Sequence, residues 1–201
     1  DPSFLSNIFS CYSITHVIHA ATLHKPHVCS HSEAEFVQTN IAGTLALLKI
    51  ASFPPSLASP VKSFIYIATT SAFGTSLSPP EGSPAARIDD DTPTASHKNI
   101  YGLTKSAAED LCQLIAKEKG LPTIVLRTNR FFPEEDDDEV PDEENLKVLE
   151  LTCRRVDVAD VVNACVCATE RCTEGKIRWG RFVASTPTPF VRGELERGGG
   201  S

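Results

Sequence analysis

Methionine is missing from all 201 residues, tryptophan occurs once, and aromatic residues of every kind make up 7%. Basic side chains are outnumbered by acidic ones, 19 against 26, for a net charge of −7. A binder of nucleic-acid backbones carries a basic face, so nucleic acid is not an expected partner. No apolar run approaches the roughly 20 residues that cross a bilayer, so no membrane-spanning role is expected. Nothing reads as a secretory leader, and a cytoplasmic location is the expectation. Seven cysteines are scattered through apolar segments without a C-x-x-C pair. That pattern suits neither a disulfide framework nor a zinc site, and reduced, mostly buried thiols are expected. Clustered glycine is absent except in the tail Gly198–Gly200, where a flexible Gly/Ser terminus is expected. The remaining composition, 41% apolar and 22% charged, is that of an ordinary globular protein of one-domain size.

Short apolar runs alternate with helical patterns along the chain. Thr15 to Ala21 (THVIHAA) reads as a buried strand. From Ser32 to Ser52, Phe36, Ile41, Leu45 and Leu48 recur near helical spacing. Ser32 with Glu35 forms a capping box at the start, and Pro54-Pro55 ends the helix. Val61 to Ala68 (VKSFIYIA) is the second strand, apolar on both faces. Thr75 to Lys98 is rich in Pro, Ser and Asp and predicts a loop; Ile100 to Lys119 predicts a helix stopped by Gly120. Pro122 to Arg127 is a third strand, Asp157 to Cys172 a last helix, and Arg181 to Thr186 a fourth strand. The fold class is therefore α/β, a parallel sheet covered by helices on both faces. The carboxyl ends of such strands are where ligands bind.

Chemistry concentrates at those ends. Tyr101 and Lys105 stand four residues apart on one helical face. An ammonium beside a phenol lowers its pKa from about 10, which fits it for proton exchange with a hydroxyl. The alternative is a surface pair on an amphipathic helix. Thr69, Thr70 and Ser71 follow the second strand directly, where hydroxyls either bind a substrate oxygen or form the turn.

The segments VIHAA, N-x-x-GT, FIYIATTSAFG, NIYGLTKSAAE and VLRTNRFF resemble, in order and spacing, the extended short-chain dehydrogenases/reductases. More narrowly, they look like the NAD-dependent epimerase/dehydratase family, which includes UDP-glucose 4-epimerase-like enzymes. The likeness runs from about His16 to Pro189. It implies a Rossmann-like fold and NAD or NADP as cofactor. The implied substrate is a nucleotide sugar or a related hydroxyl or carbonyl compound, and the implied assembly a homodimer. It also implies Tyr101 as general acid/base, Lys105 as the group that tunes it and holds the nicotinamide ribose, Thr69 as the catalytic hydroxyl, and Asn40 as the tetrad asparagine. Ala20, Ala21 and Thr22 would line the cofactor, with Tyr101, Lys105 and Arg127. Thr70, Ser71, Asn129 and Arg130 would meet the substrate. His19 is expected to be structural. Dehydratases of the family carry an acidic pair just after the catalytic Thr; Thr70 and Ser71 stand there, which makes dehydration the weakest of the implied reactions.

The family's G-x-x-G-x-x-G turn, whose backbone cradles the pyrophosphate, occurs nowhere in the sequence. The resemblance therefore implies that the first βαβ unit is missing. The expected division is a partial nucleotide-binding and catalytic region, 1–133, and a partial substrate-binding region, 134–201. A catalytically silent scaffold stays open as the alternative. The acidic run Glu134–Glu139 is expected to be solvated charge, with no metal site.

Overall fold

The computed structural model describes residues 2–53, 61–83, 86–132 and 155–187. Pro54-Pro55, the acidic stretch, the proposed boundary at 133/134 and the Gly/Ser tail lie outside them. Four strands form one parallel sheet in the order β1-β2-β3-β6: β1 (His16–His19), β2 (Ser63–Thr69), β3 (Thr123–Thr128) and β6 (Trp179–Ala184). Two short strands, β4 (Arg130–Phe132) and β5 (Arg155–Asp157), pair separately. The central strands are the ones whose sequences are apolar on both sides, as a parallel sheet covered twice requires. Ile65 lies beside Ile124 and Tyr66 beside Val125, and all four are buried.

Alternate residues serve two cores. Phe64, Tyr66 and Val125 face a cluster built with Leu48, Ala51, Ala108, Cys112 and Ile115. Ile65, Ile124 and Leu126 face a second cluster with Val161, Cys165, Ala168 and Cys172. The helices that supply these residues are α3 (Gly43–Ser52), α4 (Ile100–Lys119) and, on the second face, α5 (Val158–Thr173). This is the expected Rossmann-like α/β arrangement.

Helix ends follow their sequence signals. Ser32 Oγ accepts from the Glu35 N–H while Glu35 returns a bond to the Ser32 N–H, opening α2 (Glu33–Phe36). The Asn99 side chain accepts from the Gly102 N–H at 2.9 Å to open α4, and Gly120 at φ 72° closes it. Asp157 accepts from the Ala159 N–H at 2.7 Å and caps α5.

Sequence patterning missed several elements. Helix α1 (Pro2–Cys11) buries Phe9 in the first core. Between α2 and α3 the chain runs as a π-helix, Val37–Ala42, which periodicity tuned to 3.6 residues cannot see. Strand β6 begins two residues before the expected Arg181, since pairing with β3 rather than local composition sets its start. Six cysteines fall among the described residues and all are free: Cys112, Cys165 and Cys172 buried, Cys11, Cys29 and Cys167 exposed. Among the described residues no helix is long and apolar enough to cross a membrane.

Phe64 is fully buried on β2, between the sheet and the helices of the first core. Phe64→Ala leaves a cavity and is expected to lower unfolding free energy by about 3–5 kcal/mol, read from urea denaturation followed by circular dichroism.

Candidate active site

A cavity of about 480 Å³ opens at the carboxyl ends of the strands, within the size range of small-molecule sites. Tyr101, Thr69, Thr70, Ser71, Asn129 and Arg130 all line it, so residues assigned to catalysis and to substrate from sequence meet in one place. Thr69 ends β2 and starts a 3-10 turn, Thr70–Leu77. Its hydroxyl accepts from the Ser71 N–H at 3.2 Å, and Thr69 and Tyr101 line the same cavity.

The turn packs directly on helix α4. A Cβ added at Gly102 would lie 2.7 Å from the Ser71 carbonyl oxygen. Glycine at this position lets the hydroxyl-bearing turn and the tyrosine-bearing helix touch. Gly74 performs the same service for the far side of the turn: at φ 62°, its missing Cβ would meet the backbone of Ala95 and Ser96.

Electrostatically the pair differs from expectation. Burial pushes the Tyr101 phenol above its ordinary value, against a smaller lowering from the Thr69 hydrogen bond. Lys105 does not supply the expected lowering. Its ammonium donates to the Ile67 carbonyl at 2.6 Å and sits 4.2 Å over the Tyr66 ring. It points at β2, because a cation with 1% exposure takes the nearest backbone acceptor and aromatic face. Burial lowers the Lys105 amine to about 8, opposed chiefly by Glu109.

Asn40 lies on the π-helical stretch and is 1% exposed. Its amide oxygen accepts from the Leu23 N–H (2.8 Å) and Thr22 Oγ (2.9 Å), and its nitrogen donates to the Leu23 carbonyl (3.0 Å) and Thr104 Oγ (3.1 Å). With two donors and two lone pairs, the amide is fully used. Asn40 therefore clamps the segment after β1 to the helix that carries Tyr101. Ala20 and Ala21 lie on that segment next to Thr22 and, like Thr22, Asn40 and Lys105, are not on the cavity wall.

Arg127 does not line the cavity. On β3 it alternates with Leu126 and so faces α4, where Nε and Nη2 grip both oxygens of Glu109 at 2.7–3.1 Å. Nη2 also donates to Thr94 Oγ at 3.2 Å, and the guanidinium lies 4.3 Å over the Phe73 ring. Both charges are buried, and Arg181 adds a second cation to Glu109 at 3.3 Å. The ion pair joins α4, β3 and the loop after β2.

Sequence reasoning missed His24, Lys25 and Cys29 on the cavity wall. The signal was available, since they follow β1 at its carboxyl end. The 3-10 turn Lys25–Cys29 that carries them has no apolar period to announce it.

The model of the NAD dependent epimerase/dehydratase family matches residues 1–179. The chain belongs to that family. It is 27% identical over 135 residues to dTDP-D-glucose 4,6-dehydratase of Dictyostelium discoideum, covering 66% of this chain and 30% of that protein. Among solved structures it is similar to UDP-glucuronic acid 4-epimerase from Bacillus cereus in complex with UDP-glucuronic acid and NAD, with a TM-score of 0.66 at 20% identity. That match covers 91% of this chain and 57% of the other. It is also similar to UDP-glucose 4-epimerase from Brucella ovis in complex with NAD, TM-score 0.65 at 18% identity, covering 92% and 61%. At these identities the structures show the shared fold. The family member described here spans less than two thirds of the length of each of these three relatives.

Two measurements check the local physics. Gly102→Ala should destabilise by about 1–3 kcal/mol through overpacking against Ser71. Gly43→Ala, whose Cβ would meet only the Gln38 carbonyl oxygen at 3.8 Å, should stabilise by up to about 1 kcal/mol through helix propensity. Urea midpoints of the two variants should move in opposite directions.

The second concerns His19, 5% exposed, whose Nε2 is bonded to Thr44 Oγ at 2.9 Å. Burial, and then the Lys105 charge, lower it from 6.5 to about 4. Between those values the unfolded chain holds the extra proton, so stability rises with pH; it is complete above 6.5 and drains away as pH falls toward 4. The effect amounts to about 3 kcal/mol at about 1.4 kcal/mol per pKa unit. His19→Asn should flatten that acid-side slope in urea midpoints taken across the window.

Proposed function

We propose that this chain carries the acid–base centre of a nicotinamide-dependent epimerase or reductase acting on a sugar nucleotide or a related hydroxyl or carbonyl substrate. One observation carries the reading: Tyr101 and Thr69 together line a cavity at the sheet's carboxyl edge. Oxidation of a hydroxyl lying between phenol and threonine needs Tyr101 as phenolate, which takes the hydroxyl proton; reduction needs the neutral phenol, the form that burial favours, which donates it.

The cofactor, NAD or NADP, accepts and returns hydride when bound. The residues fit its nicotinamide end. Lys105 is a buried ammonium with three N–H groups and one oxygen acceptor, Ile67, so it retains donors for a ribose hydroxyl. The family resemblance would add Tyr101 and Thr22 beside the nicotinamide, with Ala20 and Ala21 where backbone must pass close. The diphosphate end has no G-x-x-G-x-x-G in this sequence to receive it. Thr70, Ser71, Asn129 and Arg130 form the substrate wall, with Arg130 and Lys25 as its cations and no carboxylate among the lining residues. That wall favours an anionic substrate such as a sugar nucleotide. Leu103 and Leu114, both close to half exposed on α4, supply apolar surface for a homodimer through that helix. A second reading is a scaffold without turnover.

Tyr101→Phe and Lys105→Ala should each reduce hydride transfer by about 10²–10⁴-fold, followed as absorbance of reduced nicotinamide with UDP-glucose or UDP-glucuronate and millimolar NAD+ or NADP+. Near-wild-type turnover in either variant overturns the assignment. Calorimetry showing no heat with either dinucleotide favours the scaffold.

A further inference from the structure

Lys105 is the one lysine among the described residues that is sealed inside the fold, at 1% exposure. A buried ammonium needs partners that replace water, and a carboxylate is the usual one. Among the described residues no carboxylate lies within ion-pair reach of Lys105. Glu109, one turn along α4, is engaged by Arg127 at 2.7 Å and by Arg181 at 3.3 Å. Cys112, a further turn on, is a thiol that burial pushes up, so it brings no charge. Burial also keeps Tyr101, one turn back, a neutral phenol. On β1, burial and then the Lys105 charge lower His19 to about 4, so it too is neutral at pH 7.

Two contacts remain, and consecutive residues of β2 supply them. The ammonium donates to the Ile67 carbonyl at 2.6 Å, and its Nζ stands 4.2 Å over the centre of the Tyr66 ring. An aromatic face is the negative side of a quadrupole. It attracts a cation within about 6 Å of its centroid, and more strongly where water is excluded. Tyr66 is itself 1% exposed and belongs to the core between β2 and α4. The His19 ring lies against it, 5.5 Å between centroids and tilted by 48°. Burial pushes the Tyr66 phenol far up, so the ring acts through its neutral π-face and not as a phenolate.

We propose that Tyr66 is the positioning residue for Lys105: its ring face holds the amine as an ammonium, in place beside the end of β2, before any dinucleotide binds. The inference rests on the reading of Lys105 as the donor to a ribose hydroxyl. An uncharged amine would bring two N–H groups in place of three, and no positive charge. Burial has already lowered this amine to about 8. A further tenfold loss of proton affinity, about what a desolvated cation–π contact is worth, leaves a large share of it uncharged at neutral pH. The charge on Lys105 is measurable without cofactor or substrate.

The experiment uses the full chain with lysine carbon-labelled at Cε, whose NMR line reports the charge of its own amine as pH is varied. The Lys105 line is the one lost in Lys105→Ala. Position 66 is then changed with its shape kept: Tyr66→Phe, followed by phenylalanines bearing one, two and three ring fluorines. Fluorine draws electron density from the ring face and weakens its pull on a cation, while the ring still fills the core. Tyr66→Phe should hold the proton affinity of Lys105 within about twofold of wild type, since the face is kept. Each fluorine should lower it, to about tenfold with three, and Tyr66→Leu should lower it at least as far. The fluorinated series decides the matter even where Tyr66→Leu does not fold. A Lys105 midpoint that stays put along that series overturns the proposal. So does a full drop already present in Tyr66→Phe, which assigns the effect to the hydroxyl, or a drop shared by the exposed lysines. Retention of hydride transfer by Lys105→Ala would remove the functional reading and leave this titration standing, so the two failures are separable.

Discussion

The buried pair between Glu109 and Arg127 is the interaction on which the site's geometry rests. It lies two turns along the helix from Tyr101, and it ties that helix to the end of β3 and, through Thr94 and Phe73, to the loop that begins at Thr69. Two buried charges gain little net stability over apolar packing, because desolvation offsets their attraction. What they supply is direction. A bidentate guanidinium–carboxylate contact admits one orientation, whereas apolar side chains slide. Removing either partner would strand the other charge in the core.

Burial has a second consequence: the same dry environment moves three buried titratable groups toward their neutral forms. Tyr101 is raised, Lys105 is lowered to about 8 and His19 to about 4, each with desolvation as the leading cause. The phenol's rise and the amine's fall carry the two apart, so Tyr101 is favoured as the neutral acid while Lys105, at about 8, is still chiefly an ammonium at neutral pH. The packing that stabilises the sheet thus also sets the chemistry at its edge.

The π-helical stretch before α3 connects these two themes. It carries Asn40, whose amide holds Leu23 and Thr104 together and so fixes the segment after β1 against α4. His24 follows one residue beyond the clamp. A helix widened at one turn costs some hydrogen-bond geometry, and such widening occurs where a side chain must be aimed. Here it aims a side chain that positions others.

Much of this was legible from the amino-acid order alone. The strands VKSFIYIA and PTIVLR, the helix from Ile100 to Lys119 and its caps at Asn99 and Gly120 follow from local rules. So does the convergence of Tyr101 with Thr69 to Ser71, because strands in a parallel sheet share one carboxyl edge. Three things were decided only by tertiary structure. Arg127 is an odd member of its strand's alternation and faces the helix, a matter of which sheet face α4 covers. Lys105 turns from the phenol to the Ile67 carbonyl because the nearest acceptor in space is 38 residues away in sequence. His24 reaches Tyr101 through a clamp made by Asn40 from another helix. Local sequence determines which residues are helical, extended or capped, since those choices depend on near neighbours. Which buried charge finds which partner depends on contacts that exist only after the sheet has assembled.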